Sequence, residues 1–223
     1  MAKVRTVNVL LQLLMVFYIW CKKDVRCSVG ADEVRYPNSV LLTVIFQIVF
    51  FEDRDFQGKS YDCKGDSADL QSFIRRCNSV KVDDGWWVLY ERNNYTGYQY
   101  VIGPGKYNDY RHWMGFNDCV RSCRIIKHAK GPFKMRLYDR PNFSGNSLEL
   151  TDNSKSIQEK WLRQDVQSCK VLEGSWIFFE HPNFCGRQYL LEKGDYRHHS
   201  EWGAQKSTVG SVRAIIELRV PTA

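Results

Sequence analysis

The stretch "FFEDRDFQG", residues 50–58, is spelled again as "LYERNNYTG" (89–97), "LYDRPNFSG" (137–145) and "FFEHPNFCG" (178–186). In each copy a strand-like run ends in an aromatic and an acid. Polar residues, a second aromatic, one variable residue and a glycine follow. Glycine takes positive φ without steric cost and leaves room for a neighbour to lie against its backbone. The phrase therefore predicts a hairpin folded back over a sheet, with the ring covering the glycine backbone. A serine follows each glycine by 21 to 25 residues (Ser79, Ser122, Ser168, Ser211), and its hydroxyl is of the type that bonds exposed turn backbone.

A longer period encloses the short one. Trp87 and Trp176, Tyr90 and Phe179, Gly97 and Gly186, Gly105 and Gly194, Tyr107 and Tyr196, Trp113 and Trp202, and Ser122 and Ser211 are all 89 residues apart. The chain is thus a duplication of a unit that is itself duplicated. "SVKVDDGWWVLYE" (79–91) and "SCKVLEGSWIFFE" (168–180) each read as two β-rich runs hinged at a glycine, and turn signals recur at regular spacing. "LQSFIRR" (70–76) and "IQEKWLR" (157–163) predict a helical turn or two each. The fold class is all-β, with antiparallel sandwiches.

Composition narrows the function. The net charge of +7 divides into +3 on residues 1–46 and +4 on the rest, with both signs interspersed and no Lys/Arg run longer than two. That describes a solvated surface and argues against a nucleic-acid partner. We find no nucleophile elbow, phosphate loop, metalloprotease helix or zinc-type Cys/His spacing. "GPGKYN" (103–108) has Asn108 where a dinucleotide loop needs its third glycine, and His198-His199 has no third ligand nearby in sequence and reads as a solvated turn. No enzyme, cofactor or metal site is expected. The eight cysteines are read as free thiols: Cys119 and Cys123, four apart on a predicted strand, are separated by about 13 Å, too far for a disulfide.

Residues 1–46 stand apart as an atypical extension. "VNVLLQLLMVFYIW" (7–20) follows Lys3 and Arg5 like a secretory signal, but its nearest small-x-small site, Ser28-Val29-Gly30, lies well beyond the apolar run. It is too short and too polar to span a bilayer, so no membrane partner is expected. A second apolar run (40–51) merges into the first repeat.

The four phrases, with "GKYNDYRHWMGFND" (105–118), "GDYRHHSEWGA" (194–204) and "RCNSVKV" (76–82), resemble the four Greek-key motifs of the vertebrate βγ-crystallins. "IKHAKGPF" (126–133) is similar to the connector of the monomeric γ group, and "SCKVLEGSWIFFE" with "GRQYLLEKGDYR" (186–197) is most similar to its γS-type members. The resemblance implies two domains, 47–127 and 134–219, each a β-sandwich of two Greek keys, joined by a linker at 128–133 and followed by a tail at 220–223. It implies hairpin corners built from Phe51, Phe56, Gly58 and Ser79; Tyr90, Tyr95, Gly97 and Ser122; Tyr138, Phe143, Gly145 and Ser168; and Phe179, Phe184, Gly186 and Ser211. It identifies Trp87, Trp113, Trp176 and Trp202 as buried, and leaves Trp86 and Trp161 without a pattern. It pairs the domains through Val88, Val101 and Ile126 against Ile177, Leu190 and Ile215, flanked by Gln99 and Gln188; from sequence alone these six apolar residues read equally as ordinary core.

Some βγ domains bind calcium through a loop of which "NDCVRS" (117–122) keeps Asn117, Asp118 and Ser122, but Arg121 stands where a hydroxyl is expected and adds an unfavourable charge. The resemblance implies a structural protein of the eye lens, a monomer in the cytoplasm of lens fibre cells, meeting other crystallins through weak short-range contacts. The competing class is a secreted calcium- or membrane-binding module. The sequons at Asn94 and Asn142 lie inside the hairpin phrase, where a sugar interferes with the fold-over, and so argue against it.

Overall fold

The computed structural model describes residues 46–127, 131–161 and 165–216. Residues 1–45, with the signal-like run, lie outside the described residues, as do linker residues 128–130, residues 162–164 at the end of the second helix-like piece, and 217–223 with the expected tail. The fold below belongs to one compact unit within residues 44–223.

Fourteen strands are described, all paired antiparallel. The N-terminal half holds β1 (Gln47–Phe51), β2 (Ser60–Cys63), β3 (Ser79–Asp84), β4 (Trp87–Arg92), β5 (Thr96–Ile102), β6 (Gly105–Tyr107) and β7 (Ser122–Ile125). The C-terminal half repeats the series as β8 (Lys134–Tyr138), β9 (Ser147–Leu150), β10 (Ser168–Glu173), β11 (Trp176–His181), β12 (Cys185–Leu191), β13 (Gly194–Tyr196) and β14 (Ser211–Ala214). One sheet runs β2-β1-β3-β6, its copy runs β9-β8-β10-β13, and a six-stranded sheet runs β14-β11-β12-β5-β4-β7.

The order shows how the repeats interlock. β6, from the second repeat, pairs with β3 of the first, with Val80 opposite Tyr107. In return Ser67, from the first repeat, bridges Cys123 in β7 of the second, and Ser154 bridges Val212 in the same way. Each repeat lends its third segment to the other repeat's sheet, while its fourth strand, β3 or β7, returns to lie beside its first, β1 or β4, as in a Greek key.

Period-two alternation decides what each strand buries. β1 turns Ile48 and Phe50 inward, and β8 does the same with Met135 and Leu137. β4 and β11 instead bury four consecutive residues because both of their faces are covered. Trp87 and Leu89 enter the N-terminal core, while Val88 and Tyr90 face a separate apolar cluster shared with the other half. Trp176 and Phe178 divide from Ile177 and Phe179 in the same manner. The hinge glycines Gly85 and Gly174 have φ near +81° and +76°, and the rings of Phe46 and Phe133 occupy the space a side chain would need there.

Residues 70–76 form one turn, in which Phe73 and Ile74 both donate to the Leu70 carbonyl, and 157–163 begins with a single helical turn, α1 (Ile157–Lys160), within the turn or two expected of each. One local expectation is corrected. Cys119 does not lie on a strand: its N–H bonds the Asn117 side chain in the loop before β7, so the strand rise cannot set its distance from Cys123.

Candidate functional site: hairpin corners and the face between the domains

At each of the four corners the serine is fully buried and makes the same two bonds. Ser79 Oγ accepts from Phe56 N at 2.9 Å and donates to Asp53 O at 2.6 Å. Ser122 serves Tyr95 N (3.0 Å) and Arg92 O (2.6 Å); Ser168 serves Phe143 N (2.9 Å) and Arg140 O (2.6 Å). Ser211 serves Phe184 N (2.9 Å) and His181 O (2.6 Å). One hydroxyl thus satisfies a donor and an acceptor that the fold-over strips of water.

The two aromatics of each corner meet edge to face. Ring centroids lie 5.7 Å apart for Phe51–Phe56 and Tyr90–Tyr95, 5.8 Å for Tyr138–Phe143 and 5.6 Å for Phe179–Phe184. What fills the space left by the glycine differs from the expectation. Asp53 lies against Gly58, Glu91 and Arg92 against Gly97, Asp139 and Arg140 against Gly145, and Glu180 and His181 against Gly186. The acid and the residue after it, rather than the ring, occupy the room where a Cβ would stand. Positive φ is not confined to glycine either: Asp55 and Phe56, Asn94 and Tyr95, Asn142 and Phe143, and Asn183 and Phe184 all lie between 55° and 63°. Asn and Asp tolerate that region; an aromatic does so only when held there, here by the serine bond and the ring pair.

The apolar face between the halves gathers Val88, Val101 and Ile126 with Ile177, Leu190 and Ile215, together with Tyr90 and Phe179. None of the six is more than 9% exposed. Gln99 and Gln188 lie opposite one another across β5 and β12. Gln188 Oε1 accepts from Val101 N at 3.0 Å and Gln99 Oε1 from Leu190 N at 2.9 Å, while their amide nitrogens reach Trp113 O and Trp202 O. The two residues make the same bonds in exchange, so a pseudo-twofold axis passes between them.

Sequence reasoning missed three contacts at this face. Arg124 Nη1 meets Glu192 Oε2 at 2.6 Å, a partly buried ion pair. Its copy under the 89-residue period would join Arg213 to Gly103, which has no acid, so the period could not reveal it. Arg187 lies over the Tyr98 ring at 5.0 Å; these two are 89 residues apart, but their side-chain types differ. Trp86, half-buried, packs on the apolar cluster with its ring against Gly103, and Trp161 packs on the C-terminal core, which accounts for both extra tryptophans.

Trp87, Trp113, Trp176 and Trp202 are buried. Trp87 and Trp176 donate to the hinge carbonyls of Asp84 and Glu173, whereas the indole N–H groups of Trp113 and Trp202 have no hydrogen-bond partner. Both rings receive a tyrosine edge, from Tyr107 and Tyr196, at 6.3 and 6.2 Å.

In the calcium-loop remnant, Asn117 Oδ1 accepts from Cys119 N, Asp118 Oδ2 from Asn78, and the Ser122 hydroxyl is spent on its corner. The Arg121 guanidinium donates to Arg75 O at 2.6 Å. No group of three His, Cys, Asp or Glu side chains converges among the described residues. His198 caps the 3-10 turn His199–Trp202 through Ser200, with its ring 4.0 Å from that of His199.

The Beta/Gamma crystallin family model matches residues 47–126 and 134–215. Gamma-crystallin S-1 of Chiloscyllium indicum is 52% identical over 171 residues, 77% of this chain and 99% of that protein. Gamma-crystallin D of Macropus fuliginosus and gamma-crystallin B of Bos taurus are each 49% identical over 172 residues, covering 77% of this chain and 98% of theirs. Four serine-locked corners and two matched domains thus coincide with this similarity, and the chain belongs to the beta/gamma crystallin family.

Proposed function

We propose that this protein is a structural constituent of the eye lens, a γ-crystallin whose folded form, held at high concentration, supplies refractive index and transparency. The observation that carries this reading is the identity of about half of all positions over nearly the whole length of gamma-crystallins from three organisms. Physical features support it. Aromatic residues make up 14% of the chain and raise its polarisability. Interlocked repeats leave few open segments from which aggregation starts, and interspersed surface charge keeps molecules apart by short-range order. On this reading the work is a bulk property of a monomer, and the relatives are structural proteins, not enzymes.

The domains that do this work are 47–127 and 134–219, their corner serines and shared face acting as structural devices. The place of work is the cytoplasm of lens fibre cells, and the partners are other crystallins met weakly and transiently. The deciding experiment is intact-mass analysis, under reducing conditions, of the protein isolated from lens. An abundant, sugar-free chain there upholds the proposal. Absence from lens, with a cleaved and glycosylated form in secretions, overturns it.

A further inference from the structure

Cys63, at the end of β2, and Cys123, in β7, belong to opposite sheets of the N-terminal sandwich, yet their sulfurs lie 3.7 Å apart. Both are buried, and both belong to the same core cluster. The backbone locks the approach: Ser67 N donates to Cys123 O at 2.9 Å and Cys123 N to Ser67 O at 3.0 Å, holding the turn after β2 against β7. The C-terminal domain has the same bridge, Ser154 with Val212, and there the positions equivalent to the cysteines are Leu150 and Val212, both buried. An aliphatic pair therefore fills this site adequately. What two thiols add over Leu and Val is covalent chemistry.

We propose that Cys63 and Cys123 form an oxidisable dithiol, which a hydroperoxide converts to a disulfide joining the two sheets of the N-terminal domain. The Cys63 thiolate attacks the terminal peroxide oxygen, giving a sulfenic acid and releasing water or alcohol. The Cys123 sulfur then attacks the Cys63 sulfur, expelling the sulfenic oxygen as water. Two thiols and one hydroperoxide become one disulfide with two molecules of water, or one of water and one of alcohol. Contact between the two sulfurs holds the Cys63 thiol below its ordinary value despite burial and pushes Cys123 up, which favours Cys63 as the sulfur that attacks the peroxide. From van der Waals contact the sulfurs need to close by about 1.7 Å to reach bonding distance. Burial pushes the thiols of Cys77 and Cys169 up, so they stay protonated. Oxidant taken up by this pair is consumed inside one molecule, whereas Cys185 is an exposed free thiol apart from it.

The reduced full-length chain is treated with one equivalent of hydrogen peroxide, unfolded, alkylated without reductant and mapped by peptide mass. The expected product is a cross-linked pair of peptides carrying Cys63 and Cys123, lighter by two hydrogen atoms than their sum, in a monomeric chain. Cys63→Leu and Cys123→Val take the residues that the C-terminal domain uses at the same positions, so each is expected to fold, which near-ultraviolet circular dichroism checks. In either variant the partner cysteine is expected to escape disulfide formation. Recovery of Cys63 and Cys123 as alkylated thiols after oxidation of the wild-type chain overturns the proposal, as does their linkage to other cysteines instead.

Discussion

The corner serine is the residue on which the local fold turns, because a single hydroxyl stands where two backbone groups lose their water. In Ser168→Ala the Phe143 N–H and the Arg140 carbonyl are left dry together. The expected loss is about 1–3 kcal/mol, read as a lower urea midpoint with an unchanged slope. A test at the glycine separates conformational strain from lost bonding. Gly145 has φ of 78° and backs onto Asp139, whose carboxylate accepts from Asn146 N. Gly145→Ala is expected to cost about 1–2 kcal/mol for the left-handed backbone, and more if Asp139 must swing away. At this scale the sequence was legible wherever four copies agreed, since the Ser and Gly positions could be checked against one another. It was illegible at Phe56, Tyr95, Phe143 and Phe184: their positive φ is imposed by the serine bond and the ring pair, and aromatic side chains carry no signal for it.

At the scale of the strand, β4 and β11 were legible as strands but not as to which side faced which neighbour. Val88 and Trp87 are equally apolar, and only the pairing of β5 with β12 decides that one enters a domain core and the other the shared face. That pairing is held by the two glutamines. Gln188→Ala removes the acceptor of the buried Val101 N–H, on the opposite domain. It is expected to cost about 1–3 kcal/mol and to separate the unfolding of the two halves into two transitions, followed by tryptophan fluorescence and by circular dichroism. Coincident transitions would show that the domains stay coupled without it. The Arg124–Glu192 pair escaped the repeat because duplication copies residue types, and Gly103 and Glu192 have diverged since.

For the molecule as a whole, acid is the informative stress. Asp109 accepts from the Arg111 side chain and backbone and also pairs with Arg54, and these bonds hold its carboxyl down to about 2, against an ordinary 3.8. Its folded-state pKa is depressed, so its contribution is complete above pH 3.8 and is lost as pH falls towards 2. Asp109→Asn is therefore expected to flatten the stability profile between pH 4 and 2, measured as melting temperature against pH, and to lower the plateau above it. A parallel profile would place the acid sensitivity elsewhere. The pairing of β5 with β12 has one more consequence. Each strand without the other would leave edge N–H groups unsatisfied, and inside one chain the glutamine of each edge supplies the acceptor that the other lacks. Because the surfaces are near copies related by a twofold axis, each is also a template for its own counterpart in a second molecule. The short connection between the domains therefore bears on the valence of the protein: it raises the local concentration of the correct edge, which favours closure within one chain over pairing with a neighbouring molecule.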